Sequence, residues 1–149
     1  MTKPRKPSRS LEEETYLSLQ RTADVLARAA EEAIKPFGLS GTQYNVLRIL
    51  RGAGPNGLCC REVGERMLTH DPDITRLLDR LEGRGLVARA RASEDRRVIT
   101  VRITHEGLRV LAKLDRPIEI FHCRQLGHLG PRRLERLIEL LNSARVTSG

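Results

Sequence analysis

At 149 residues, 39% of them apolar and 31% charged, the chain is one domain's worth of protein with enough apolar side chains for a core. Its 27 Lys and Arg outweigh 19 Asp and Glu to give a net charge of +8, which favours a polyanionic partner. No apolar run has the length of a membrane span, and three cysteines do not make a disulfide framework. Glu12-Glu13-Glu14 follows the basic N-terminus where a secretory signal would need an apolar stretch, so the cytoplasm is the expected compartment.

Residues 1–10 read as a disordered basic arm holding Lys3, Arg5, Lys6 and Arg9, which either touches phosphates or stays solvated. Residues 11–149 read as a single domain. Ser10 with Glu13 has the capping-box pattern that opens a helix. Tyr16, Leu19, Ala23, Leu26, Ala30 and Ala33 then recur at three and four as an apolar stripe, until Pro36 and Gly38 end it. Ser40 with Gln43 repeats the capping pattern, and Tyr44, Leu47 and Leu50 line a second helix as far as Gly52-Ala53-Gly54-Pro55. A short helix is expected over Cys60 to Leu68, joined by Thr69-His70 to the next one.

That next helix, expected over 72–84, has a sharp start and stop. Asp71 is placed to cap its first free N–H groups, with Pro72 at the first helical position. Gly85 can take the left-handed conformation that ends a helix, and Leu86 can supply the apolar contact that follows. Ile74, Leu77, Leu78 and Leu81 form one buried stripe, and the opposite face carries Thr75, Arg76, Arg80 and Arg84 with Asp73 and Asp79 beside them. A short polar face rich in guanidinium forks suits the major groove of DNA.

Two segments with a period of two follow, Val87 to Arg91 and Ile99 to Ile103, with a polar tip Ala92-Ser93-Glu94-Asp95-Arg96-Arg97 between them. From Arg84 to Arg102 there are six arginines against two acids, so the positive charge is concentrated here. Thr104 can cap a helix carrying Leu108, Leu111, Leu114, Ile118 and Phe121, which Pro117 should kink. Gly130-Pro131 opens a final helix with Leu134, Leu137, Ile138 and Leu141 on one side.

A capped helix followed by a basic β-hairpin describes a winged helix-turn-helix. The fold class is thus mainly α with a small β-hairpin wing (α+β). The winged helix-turn-helix occupies about 40–104, and the helices at about 11–36 and 105–146 form a dimerisation region. These outer helices are amphipathic and would leave apolar surface uncovered in a lone subunit, which a two-fold dimer relieves. The aromatic side chains are Tyr16, Phe37, Tyr44 and Phe121, none of them in the hairpin, so a stacking platform for single strands is missing and duplex DNA is the better partner.

The run Leu77-Leu78-Asp79-Arg80-Leu81-Glu82, then Gly85-Leu86-Val87, Ser93-Glu94-Asp95-Arg96-Arg97 and Val101-Arg102-Ile103-Thr104-His105-Glu106-Gly107 resembles the MarR family of bacterial transcription regulators in order and spacing. The resemblance implies a dimeric winged-helix protein on a pseudo-palindromic operator, most often a repressor. Many such proteins release DNA when a small molecule or an oxidant acts on them. It places Pro72, Asp73, Thr75, Arg76 and Arg80 nearest base edges or phosphates. The family's Asp-Arg-Arg pattern puts Arg97 in the minor groove, its guanidinium oriented by a charge-assisted hydrogen bond to the Asp95 carboxylate, while Arg96 contacts phosphate or pairs with its own subunit. An effector pocket between the dimer helices and the DNA-binding lobe would involve Tyr16, Tyr44 and Leu47, the alternative being that these side chains simply pack the core.

Cys59, Cys60 and Cys123 admit a redox-sensing regulator, although relatives that sense oxidants carry the cysteine where this chain has Thr15-Tyr16; small apolar filler is the alternative. Cys59 stands where the family often has a Ser or Thr cap. His70, His105, His122 and His128 form no compact ligand set, so neither a metal nor another cofactor is expected. No phosphate loop, nucleophile elbow or triad pattern occurs, and an enzyme is not expected. A winged helix that docks protein without touching DNA is the remaining alternative, against which the basic wing argues.

Overall fold

The computed structural model describes residues 8–91, 95 and 97–146. Arg96 and the first seven residues of the expected basic arm therefore lie outside the described residues. The chain runs α1 (Leu11–Ile34), a 3₁₀ turn (Lys35–Phe37), α2 (Gly41–Ala53), β1 (Leu58–Cys59), α3 (Cys60–Arg66) and α4 (Ile74–Gly83). It continues through β2 (Val87–Arg91), β3 (Ile99–Ile103), α5 (His105–Leu126), a 3₁₀ turn (Gly127–Leu129) and α6 (Pro131–Ala144).

Local chemistry sets most of these boundaries. The Ser10 side chain accepts from the Glu13 N–H at 3.1 Å, and Ser40 with Gln43 makes a complete reciprocal capping box that opens α2. Gly38 and Gly130 take positive φ where the chain leaves each 3₁₀ turn. Pro131 opens α6, where its missing N–H costs nothing. Pro117 lies inside α5, which continues through it as one helix.

The sheet has three antiparallel strands in the order β1-β3-β2. The hairpin pairs Val87 with Ile103 through to Arg91 with Ile99, the register expected from the alternation. The third strand was not expected: Leu58 pairs with Val101 and Cys59 with Thr100. Gly57, at φ +69°, lets β1 come this close, because a Cβ there would collide with the Val101 carbonyl oxygen. The helix expected over Cys60 to Leu68 stops at Arg66, after which Met67 is extended.

The core gathers Val46, Leu47 and Leu50 of α2, Val63 of α3, Leu77, Leu78 and Leu81 of α4, Val87 and Val101 of the sheet, and Leu111, Leu114 and Ile118 of α5. Each such leucine contributes about 1.5–3 kcal/mol by leaving water. The lobe is fastened at one joint. The Leu86 N–H donates to Leu81 O at 3.0 Å and Gly85 N–H to Glu82 O at 2.9 Å, with Gly85 at φ +72°, a complete Schellman stop for α4. The Thr104 hydroxyl donates to Gly85 O at 2.6 Å and accepts from Gly107 N–H at 3.1 Å, so one side chain ties the end of α4 to the start of α5. Thr104 N–H closes the joint on Leu86 O at 3.1 Å.

Gly107 is buried in this joint, and a Cβ on it would overlap Leu86 O and press on Ile103. Gly107→Ala should therefore cost about 1–3 kcal/mol through overpacking against backbone that cannot yield. Thermal unfolding checks it, with a fall of several degrees expected and an unchanged midpoint contradicting the close approach.

Arg51 of α2 binds Asp115 of α5 through two hydrogen bonds of 2.9 Å each. The guanidinium holds the Asp115 carboxyl below its ordinary range, and the carboxylate raises Arg51 in turn. Because the folded-state value of Asp115 is depressed, its contribution is present above the unfolded aspartate value near about 3.9 and is lost as pH falls through the lower folded one. The side chains are 30% and 48% exposed, so screening limits the pair to about 0.5–1 kcal/mol. Asp115→Asn should open a stability gap of that size at pH 7 that closes below about pH 3. A gap of constant size across that range would mean that charge plays no part.

Candidate nucleic-acid interface

The helix expected over 72–84 is present, with a shifted start. Asp73 caps it, its Oδ1 accepting from Arg76 N–H at 3.1 Å, whereas Asp71 spends its carboxylate on the Asp73 N–H at 2.8 Å. Pro72 thus sits in the turn before the cap, and the helix begins at Ile74. The two aspartates form a relay: the first shapes an Asx turn that delivers the second to the capping position. The expected stripe turns inward, with Leu77, Leu78 and Leu81 buried and Ile74 partly so.

Thr75, Arg76 and Arg80 are exposed on the other face. Arg76 lies 3.7 Å from Asp73, a contact short enough to steer its fork and exposed enough to yield to another anion. Arg80 forms no ion pair among the described residues. Two arginines that the charge count grouped with this face are committed elsewhere. Arg84 turns back from the end of α4 to donate to Gly38 O at 2.6 Å. Arg89 of β2 reaches across to the Asp79 carboxylate and to Glu82 Oε1, the latter at 3.1 Å, while its backbone N–H donates to Glu82 Oε2 at 3.0 Å.

This clamp has an electrostatic consequence. Arg89 holds the Glu82 carboxyl below its ordinary range and is itself raised by Glu82 and then Asp79. Arg89 offsets one of the two negative charges that Asp79 and Glu82 place on α4, which weakens their repulsion of a phosphate backbone beside Arg76 and Arg80. Arg89→Met should cost about 0.5–1 kcal/mol, and the loss should shrink as salt rises because the pairs are partly exposed. Urea titrations at low and high NaCl measure this; an identical loss at both would show that packing alone is involved.

At the wing tip the expected contact takes a different form. Asp95 Oδ1 accepts from the Arg97 backbone N–H at 3.0 Å, and Asp95 O accepts from Val98 N–H at 3.1 Å. Asp95 therefore shapes the turn that presents Arg97 rather than gripping its guanidinium, which stays exposed. The two-residue spacing favours this local bond, since a carboxylate reaches the backbone two residues on with less ordering than a long side chain would need.

The residues expected to line an effector pocket separate. A half-open cleft of about 490 Å³ lies among α1, α2, the segment after α3, and α5. Tyr44 lines it, with Ala30, Asn45, Arg48, Leu68, Phe121 and His122. Arg48 donates to the Tyr44 hydroxyl at 2.9 Å and stands 5.8 Å from the ring centroid. Leu47 is fully buried in the core and Tyr16 is 61% exposed, so neither reaches the cleft. Nothing in the periodicity singled out Arg48, Asn45 or His122, because the cleft is assembled from four separate stretches of chain.

The three thiols are free. Cys59 occupies the cap position of α3; its thiol and its backbone N–H both point to Glu62 and hold that carboxyl below its ordinary range. Among the described residues no group of His, Cys, Asp and Glu is placed to hold a metal ion, and no helix is long and apolar enough to cross a membrane.

A helix capped at Asp73, a helix before it, and a hairpin clamped to its side define a winged helix-turn-helix protein. A profile of the MarR family matches residues 37–98. The HTH-type transcriptional regulator YwoH of Bacillus subtilis is 36% identical over 89 residues, which span 60% of this chain and 63% of that one. YkoM of the same organism, also an HTH-type transcriptional regulator, is 31% identical over 115 residues, 76% of this chain and 73% of that one. The crystal structure of a MarR transcription factor from Planctomyces limnophilus is 45% identical, covers 91% of this chain and 98% of its own, and superposes with a TM-score of 0.69. CouR from Rhodococcus jostii RHA1 bound to p-coumaroyl-CoA is 27% identical (95% and 99% covered, TM-score 0.78). The transcriptional repressor CouR bound to a 23-mer DNA duplex has the same fold at 24% identity (93% and 99% covered, TM-score 0.79). The chain belongs to the MarR family of transcription regulators.

Proposed function

We propose that the protein is a homodimeric transcription repressor that binds a pseudo-palindromic operator in double-stranded DNA. The observation that carries this reading is the exposed Thr75, Arg76 and Arg80 face of α4, held beside the wing by Arg89. Pro72 and Asp73 bring the start of α4 to the groove, with Asp73 engaged mainly as its cap. Arg97 enters the flanking minor groove, where a narrow negative channel attracts a guanidinium, and Asp95 sets the turn beneath it. Arg96, beside them in sequence, is assigned to phosphate. CouR, with the same fold, is a repressor that was solved on a DNA duplex.

Genomic fragments retained by the purified protein supply the duplex for the test. Arg76→Ala or Arg80→Ala should cost ~1–3 kcal/mol at one base pair if the side chain reads a base, and should weaken all sequences alike if it holds a phosphate. Arg97→Lys should bind more weakly than wild type, and Arg97→Ala should also flatten log K against log salt by ~0.9 per phosphate lost. Wild-type affinity in all four variants would remove α4 and the wing from the interface.

The dimer is supported by what one chain leaves uncovered. Leu11, Tyr16 and Val25 of α1 are 78%, 61% and 61% exposed, and Ile138 and Leu140 of α6 are 58% and 50% exposed. No residue of α6 is buried, and its main contact is the preceding 3₁₀ turn. A second copy laid along these helices would cover both faces and set two α4 helices about one DNA turn (roughly 34–36 Å) apart. Deleting residues 131–149 should give aggregated or unfolded protein. A soluble folded monomer, seen by light scattering and circular dichroism, would contradict the assignment.

The cleft beside Tyr44 is the proposed effector site. Its apolar walls and the Arg48 guanidinium at its rim suit a small molecule that joins an apolar ring or chain to an anionic group. CouR, at 27% identity, was solved with p-coumaroyl-CoA.

A further inference from the structure

The segment between α3 and α4 leads into α4 and is held mainly at its ends. Leu68, Thr69, His70, Pro72 and Asp73 are all exposed, Leu68 by 87%. Met67 packs against the core and donates through its N–H to Gly64 O of α3 at one end, and Asp73 N–H bonds to Asp71 Oδ1 at the other. Among the described residues, one hydrogen bond ties residues 67–73 to an element other than α3 and α4. Asn45 of α2 accepts the Leu68 N–H through Oδ1 at 2.9 Å. Asn45, Leu68 and Thr69 also line the cleft beside Tyr44.

We propose that Asn45 is a positioning residue that couples the cleft to the reading helix. With the cleft open, its side-chain amide pins Leu68, and through five further residues places the Asp73 cap and the start of α4. An occupant that bonds to the Asn45 amide, or that lifts Leu68 off the rim, removes the one hydrogen bond from α2 and loosens residues 68–73 between Met67 and α4. A leucine held at the surface has no burial to oppose that release. This rests on the DNA-reading role given to α4 above, but the tie itself is a property of the free protein and is tested there first.

The readout is amide hydrogen exchange at Leu68 and the residues up to Asp73, with affinity for a retained genomic duplex beside it. Asn45→Ala should speed exchange at Leu68 and weaken the duplex ~2–12-fold, the factor expected for one net hydrogen bond. Asn45→Asp keeps an acceptor oxygen and should restore protection of Leu68. Wild-type exchange at Leu68 in Asn45→Ala overturns the tie whether or not DNA binds. Faster exchange with unchanged affinity overturns the coupling to reading. A protein that retains no duplex at all refutes the DNA-reading role and leaves the exchange arm to decide the tie.

The cleft arm needs no ligand. The chain contains no tryptophan, so Ala30→Trp and Ala27→Trp each install a single reporter on a cleft-lining position of α1. A blue-shifted emission marks a ring lodged in the cleft, and exchange at Leu68 should then rise as in Asn45→Ala. A lodged ring with wild-type exchange overturns the link between cleft and segment. A ring that stays in water at both positions overturns it as well, because a cleft that admits no side chain admits no effector.

Discussion

The interaction on which the lobe depends is the bonding of Thr104. Its hydroxyl donates a hydrogen bond to Gly85 O and accepts one from Gly107 N–H, while its backbone N–H donates to Leu86 O. One residue therefore ends the reading helix, ends the wing and begins α5. Three elements meeting at a single side chain cannot rotate independently. The angle between helix and wing is set at this point, and so is the direction in which α5 leaves toward the outer helices. Gly107 is the counterpart of that bonding, since only a residue without Cβ lets α5 start against the Leu86 carbonyl.

Charge is sorted on this frame by what each arginine can reach. Arg84 and Arg89 face carbonyl or carboxylate groups of their own lobe and become fastenings. Arg76, Arg80 and Arg97 point to solvent, with at most a weak ion pair to Asp73. Arg89 matters to both groups, because its one positive charge offsets half of the negative charge on Asp79 and Glu82 and so weakens the anionic opposition to a polyanion along α4. A net charge of +8 says only that such a partner is favoured. The partition between structural and available arginines says where.

Signals carried within a few residues were legible in the sequence. The caps at Ser10, Ser40 and Thr104, the left-handed Gly85 and the two hairpin strands all depend on neighbours in the chain, and each stands where the pattern put it. The start of α4 was misplaced by two residues because two aspartates flank Pro72, and either could cap; the Asx turn that decides between them is a three-dimensional event. β1 is two residues long and shows no period. Leu47 and Tyr44 share a helix face, but the first meets the core and the second its edge, a difference that depends on where α1 and α5 lie. The partners of Arg89 and Asn45 lie on other elements, which no periodicity reports.

If helix, wing and α5 form one rigid reading unit, paired across a two-fold axis, the DNA should record that geometry. Hydroxyl-radical footprinting of a retained genomic duplex measures it directly. The account predicts two protected half-sites with centres about 10–10.5 base pairs apart, each flanked on its outer side by minor-groove protection that Arg97→Ala removes. A single half-site, or protection without a pattern across the duplex, would contradict it.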